Sequence, residues 1–146
     1  MSSEKENVHF INQERLLEMC QNPLRKLNVR EDIIESVSKG LVWTSLRGID
    51  SHGVRLLPHY VACVKGGRLN PDPVLAFERT GASTGKLDAD HTFGHAAGAE
   101  AMSHAINLAD ESGVGAVSVR NSSHCGALSN FGHLAAERDM IGMIFT

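Results

Sequence analysis

The chain has 146 residues, 42% of them hydrophobic and 21% charged, with a formal net charge of −3, the make-up of one compact globular domain with an ordinary core. Like charges never run beyond a residue or two, which argues against a nucleic-acid or anionic-membrane partner, since both recruit clustered Lys and Arg. The longest apolar runs, such as Ile141 to Phe145, are far too short to span a bilayer, and Met1 to Asn7 lacks the apolar stretch of a signal peptide, so a cytoplasmic location is the expectation.

In chain order, residues 12 to 20 set Leu16, Leu17 and Met19 among charged residues, enough for one short helix. A second helix follows, with Asn28 as its expected cap and Glu31 in the capping-box position. Ile33, Ile34, Val37, Leu41, Val42 and Leu46 recur there at helical spacing. The stretch from Arg47 to Gly53 breaks it with two glycines and an Asp-Ser pair. A third helix starts near Leu57, tolerates Pro58 in its first turn, and stops at Gly66-Gly67. Asn70-Pro71-Asp72-Pro73 is rigid connector. Val74 to Arg79 and Gly85 to Asp88 read as two strands around the Gly81-Ala82-Ser83 turn.

His95 to Glu111 is then an alanine-rich helix ended by Gly113, and Val114 to Val119 has the apolar density of a buried strand. Ser129 to Asp139 reads as a further helix and Ile141 to Phe145 as a final strand. The expected fold is α/β: a helical N-terminal subdomain over residues 1–70, then a β-β-α-β-α-β layer over residues 71–146. Because the last strand stops at Thr146 with no further partner, the sheet is expected to be incomplete and the chain truncated.

Three cysteines, Cys20, Cys63 and Cys125, carry no C-x-x-C spacing and read as reduced thiols. Cys20 and Cys63 fit helix-face packing, and Cys125 reads either as a packing residue or, beside His124, as a reactive thiol.

Three segments carry side chains suited to chemistry. Arg47-Gly48-Ile49-Asp50-Ser51-His52-Gly53-Val54-Arg55 gathers two arginines, a serine, an aspartate and a histidine on one turn. A guanidinium pairs a carboxylate bidentately, and a histidine moves its proton near neutral pH. The same turn also reads as a solvated corner in which Asp50 or Ser51 caps the next helix. Asn121-Ser122-Ser123-His124-Cys125-Gly126 follows a strand, where α/β proteins keep their chemistry, although a plain polar turn has the same composition. His91 and His95 stand four apart, but Gly94 intervenes and no third ligand has fixed spacing, so no metal is assigned and they read as loop and helix-start residues. Gly113 to Ser118 misses the third glycine of G-x-G-x-x-G and precedes a strand, so a Rossmann phosphate turn is not indicated.

Taken in order, Leu46 to Leu56, Lys65-Gly66-Gly67 with Asn70-Pro71, Asp88 to Gly94, Ala101-Met102 with Ala105-Ile106, and Gly113 to Gly126 resemble blocks of the malate/L-lactate dehydrogenase-2 family. The resemblance covers nearly all of the chain from residue 12 on. It implies a non-Rossmann nucleotide fold, homodimers with sites near the subunit interface, and hydride transfer between NAD or NADP and C2 of a small 2-hydroxy or 2-oxo acid. Relatives act on malate, lactate, sulfolactate, ureidoglycolate, a diketo sugar acid or a cyclic imino acid.

Carried over by position, His52 and His124 match the family's active-site histidines, Arg47 the arginine near the substrate carboxylate, and Ser51 a polar neighbour of that site. Asn121 matches a further motif position on the substrate side. Cys125 and Ser129-Asn130-Phe131 depart from the usual pattern and bear on which acid is used. Family members are well over twice as long, with most cofactor-binding residues beyond this segment. The competing expectations are a catalytically incomplete module for dimerisation or binding, and a metal-dependent hydrolase drawing on several of the eight histidines.

Overall fold

The computed structural model describes residues 10–146, so the polar segment Met1 to Asn7 lies outside the described residues. Five helices and three strands follow in the order α1 (Gln13–Arg25), α2 (Glu31–Leu46), α3 (Leu57–Lys65), β1 (Ala76–Arg79), β2 (Thr84–Asp88), α4 (Gly94–Ser112), β3 (Ala116–Arg120) and α5 (Ser129–Ala136). Two single 3-10 turns, Asp50–His52 and Val54–Leu56, bridge α2 and α3.

The helix ends explain where the elements stop. Asn12 caps α1, its side chain accepting from the Arg15 N–H at 2.9 Å. At the far end Asn28 takes φ 56°, its N–H bonding the Arg25 carbonyl while the Val29 N–H bonds that of Leu24. Asn28 is therefore the left-handed residue that closes α1. It is not the cap of α2, which begins after Arg30 without a side-chain cap. The same pair of bonds closes α2 at Gly48, α3 at Gly67 and α5 at Asp139. Gly67 (φ +69°) has open space where a side chain would stand, so Gly67→Ala isolates the left-handed backbone cost. A loss of about 1 kcal/mol in urea unfolding is expected.

The core lies where α1, α2, α3 and the start of α4 meet. Ile33, Ile34, Val37 and Leu41 of α2 pack with Leu24, Tyr60, Leu69, Phe93 and Ala96, while Leu46, at the end of the apolar stripe, is exposed. Each such side chain contributes about 1.5–3 kcal/mol by leaving water. The buried hydroxyls of Ser38 and Thr44 bond the carbonyls of Ile34 and Gly40, each at 2.7 Å, so they leave no orphaned polar group. Cys20 and Cys63 are buried, and burial raises the Cys20 thiol to about 11.

The sheet has the order β1-β2-β3. β1 and β2 form an antiparallel hairpin with Ala76 opposite Asp88, and α4 carries the chain over to β3, parallel to β2 with Thr84 opposite Ala116. Two strand expectations need correction. β3 is a sheet margin with most of its residues exposed, not a buried strand. Residues 141–146 form no strand, and Ile141 and Phe145 are 89% and 87% exposed. A strand needs a hydrogen-bonded neighbour, whereas here Gly142 rests against Gly132 and Ala135 of the α5 side. A groove of about 1140 Å³, lined by both Val114–Val119 and Ile141–Thr146, separates this segment from β3. The β-β-α-β-α order stands and its last strand is absent.

Candidate active site

Two elements far apart in sequence converge at one end of the core. The 3-10 turn after α2 presents His52, and the loop after β3 presents His124; their rings stack at 5.7 Å between centroids with 23° between planes. Ser51 Oγ lies 2.9 Å from His52 Nδ1. Tyr60 of α3, whose body is buried in the core, reaches out so that its hydroxyl lies 2.8 Å from His124 Nδ1. Burial pushes the Tyr60 phenol well above its ordinary value, so it remains O–H and donates. A neutral His124 accepting at Nδ1 carries its proton on Nε2.

His124 titrates below the ordinary histidine value, chiefly because its ring is partly desolvated and secondarily because His52 and His59 stand near it. That shift favours the neutral ring at pH 7.

The structure does not bring the other three sequence candidates into this contact in the same way. Ser51 arrives through its bond to His52. Arg47 lies over the Trp43 indole, 3.3 Å from the ring centroid, and donates to the Trp43 carbonyl at 3.3 Å. Asn121 (φ 51°) turns its amide onto both carboxylate oxygens of Asp88, at 3.0 and 3.1 Å, so it ties β3 to β2. The Asp90 N–H, Asn121 and Arg120 hold the Asp88 carboxyl below the usual range. Asp50 and Ser51 provide no side-chain cap to the following helix. Burial raises the half-buried Cys125 thiol, which disfavours the thiolate a reactive cysteine needs.

Sequence reasoning missed Tyr60, which reads as part of the apolar face of α3, and it understated His95. His91 is an exposed loop residue at φ 59°, whereas His95, one residue into α4, is 2% exposed with neither ring nitrogen hydrogen-bonded. Among the described residues no cluster of three metal-ligating side chains forms. Burial, and then the neighbouring His124, lower His95 from 6.5 to about 4. Because the folded value lies below the unfolded one, the unfolded chain takes up this proton first. The stability His95 contributes as a neutral ring is full above pH 6.5 and is lost as pH falls toward about 4. The loss amounts to about 3 kcal/mol. Urea unfolding at neutral and acid pH is expected to show a shallower decline for His95→Gln than for the wild type.

Neither of the two cavities beside β3 is lined by an unpaired Lys or Arg. The groove beside β3 is apolar and carries no Lys or Arg. The smaller cavity, of about 530 Å³, is lined by Glu78, Asp88 and Asp90, with Lys86 and Arg120 paired to carboxylates. A diphosphate meets repulsion there.

The chain is mixed α/β, and its stacked histidine pair carries a hydroxyl at each Nδ1. The family model described as malate/L-lactate dehydrogenase matches residues 11–146, and the chain belongs to that family. It is 38% identical over 141 residues to a malate dehydrogenase of Pyrococcus abyssi, an alignment covering 97% of this chain and 39% of that one. It is 32% identical over 133 residues to a ureidoglycolate dehydrogenase (NAD(+)) of Escherichia coli K12, covering 91% and 38%. The solved structure of malate dehydrogenase from Pyrococcus horikoshii superposes with a TM-score of 0.88 at 34% identity, covering 94% of this chain and 40% of that chain. The chain thus spans about two fifths of the length of the relatives it matches.

Proposed function

We propose that this segment supplies the substrate proton-transfer site of an oxidoreductase that moves a hydride between NAD or NADP and C2 of a small 2-hydroxy or 2-oxo acid. The observation that carries the reading is the His52–His124 stack with the Tyr60 hydroxyl on His124 Nδ1. In the reducing direction the His124 imidazolium gives its Nε2 proton to the developing C2 alkoxide and is left neutral, and in the oxidising direction the neutral ring accepts that proton at Nε2, the Tyr60 hydroxyl oxygen then accepting from Nδ1–H. His52, bonded through Nδ1 to Ser51, orients the substrate oxygen or shares the proton. Arg47, released from the Trp43 face, is the carboxylate partner, with Ser51 and Asn121 on the substrate side. The nicotinamide would supply the hydride when bound. Malate- or lactate-like acids and ureidoglycolate are the substrate class, and a cytoplasmic homodimer is the proposed assembly.

Titrating the 15N-histidine-labelled chain with oxaloacetate, pyruvate or oxamate tests the reading. The ring signals of His52 and His124 are expected to move together at saturating acid while His104 and His133 stay still. Uniform response of all histidines, or none, would overturn it. The uncovered margin of β3 and the apolar groove beside it favour a second reading, a catalytically incomplete module that docks or dimerises through that face. Sedimentation showing self-association without any acid-dependent histidine shift would select it.

A further inference from the structure

We propose that His95 is a positioning residue for His124: its ring, wedged between Gly40 of α2 and Gly126 of the His124 loop and set edge-on to Tyr60, fixes both the loop and the hydroxyl that engages His124. His95 meets all three of these elements at once. The Tyr60 and His95 rings stand perpendicular at 5.4 Å between centroids. A methyl on Gly40 would stand 2.7 Å from His95 Cδ2, and one on Gly126 would overlap Nε2, so both glycines yield their side-chain volume to this ring. The neighbouring Gly94 does the same for the loop itself, since a methyl there would overlap the Ser123 carbonyl and Cys125. The start of α4 is thus the bed on which the His124 loop lies.

The His95 ring is 2% exposed, and neither nitrogen has a protein hydrogen-bond partner, an arrangement that costs stability compared with an apolar side chain. Uncharged, the ring fits the wedge. The titratable groups that face it are Tyr60 from α3 and His124 from the loop, while α2 and α5 bring up Gly40 and Asn130, which carry no charge. Around His124 stand His52 from the 3-10 turn and His59 and Tyr60 from α3. When His95 is removed or displaced, Tyr60 loses its brace on one side, its hydroxyl leaves Nδ1, and water reaches the His124 ring. Both changes favour the imidazolium and raise the titration midpoint of His124.

The test is NMR on the 15N-histidine-labelled 146-residue chain, following the His124 midpoint and the hydrogen-bonded Tyr60 hydroxyl proton in the wild type, His95→Ala, His95→Gln and Gly40→Ala. His95→Ala removes the wedge. Gly40→Ala, within a helix that tolerates alanine, pushes the ring away without touching His124. Both are expected to raise the His124 midpoint by about half a pH unit or more and to lose the Tyr60 hydroxyl signal. His95→Gln, uncharged and of similar reach, is expected to keep both near the wild type. An unchanged midpoint and hydroxyl signal in folded His95→Ala, or in Gly40→Ala should the first variant fail to fold, would overturn the proposal. The inference rests on His124 as the proton-transferring histidine, but this readout needs neither substrate nor turnover, so the two fail separately.

Discussion

Replacing His124 with alanine is expected to lower turnover of a full-length polypeptide carrying this segment by about a hundredfold or more, the range lost when a positioned general acid is removed. The expectation follows from the ring's setting. Its Nδ1 is committed to Tyr60, its Nε2 is left for substrate, and its partial desolvation lowers its titration, so that the imidazolium gives up its proton readily. His52→Ala is expected to cost a similar factor, because its removal strips one face of the stack and releases Ser51. Steady-state rates of 2-oxo acid reduction measure both. KM changes alone, with kcat intact, would make the histidines binding groups only.

The second large effect is on stability. Phe93 is fully buried and leads into α4, and it packs on Tyr60 with ring centroids 5.8 Å apart at 66°. Phe93→Ala leaves a cavity at the centre of the core, and a loss of about 3–5 kcal/mol is expected. Against a typical total of about 5–15 kcal/mol, that leaves a marginal fold. Urea unfolding of the chain reads it, with Phe10→Ala as the contrast, since Phe10 is 97% exposed and its truncation is expected to change little. Equal effects from the two would show that the core is not where the burial pattern puts it.

Much of the fold was legible because the chain marks its own boundaries. Gly67 and Gly113 stop helices where a left-handed residue is needed, and the stripe from Ile33 to Val42 turns inward as its spacing requires. Asn28 misled because asparagine serves both helix starts and left-handed helix ends, and only the chain's path decides between them. Ile141 to Phe145 has the composition of a strand, yet strand formation depends on a neighbour that local sequence does not encode.

The site divides in the same way. His52 and His124 stood out as polar residues on loops at element ends, and the structure stacks them across 72 residues of chain. Tyr60 was hidden because a tyrosine on an apolar helix face has the pattern of a core residue, and its hydroxyl matters only where it emerges. Arg47 and Asn121 were visible, but their present partners, Trp43 and Asp88, are not readable from motif spacing. His95 is the helix-start residue its position suggests, but its burial between two glycines from other elements leaves no trace along the sequence.

Whether the histidine pair serves hydride transfer between a nicotinamide and a 2-hydroxy acid is tested by oxidation of NADH and NADPH by a full-length polypeptide carrying this segment. It would be offered oxaloacetate, pyruvate and glyoxylate derivatives beside simple aldehydes that lack a carboxylate. Turnover with at least one 2-oxo acid, and none with the aldehydes, is the predicted result. A folded protein that turns over none of the acids with either cofactor, or that reduces the aldehydes equally well, would contradict it.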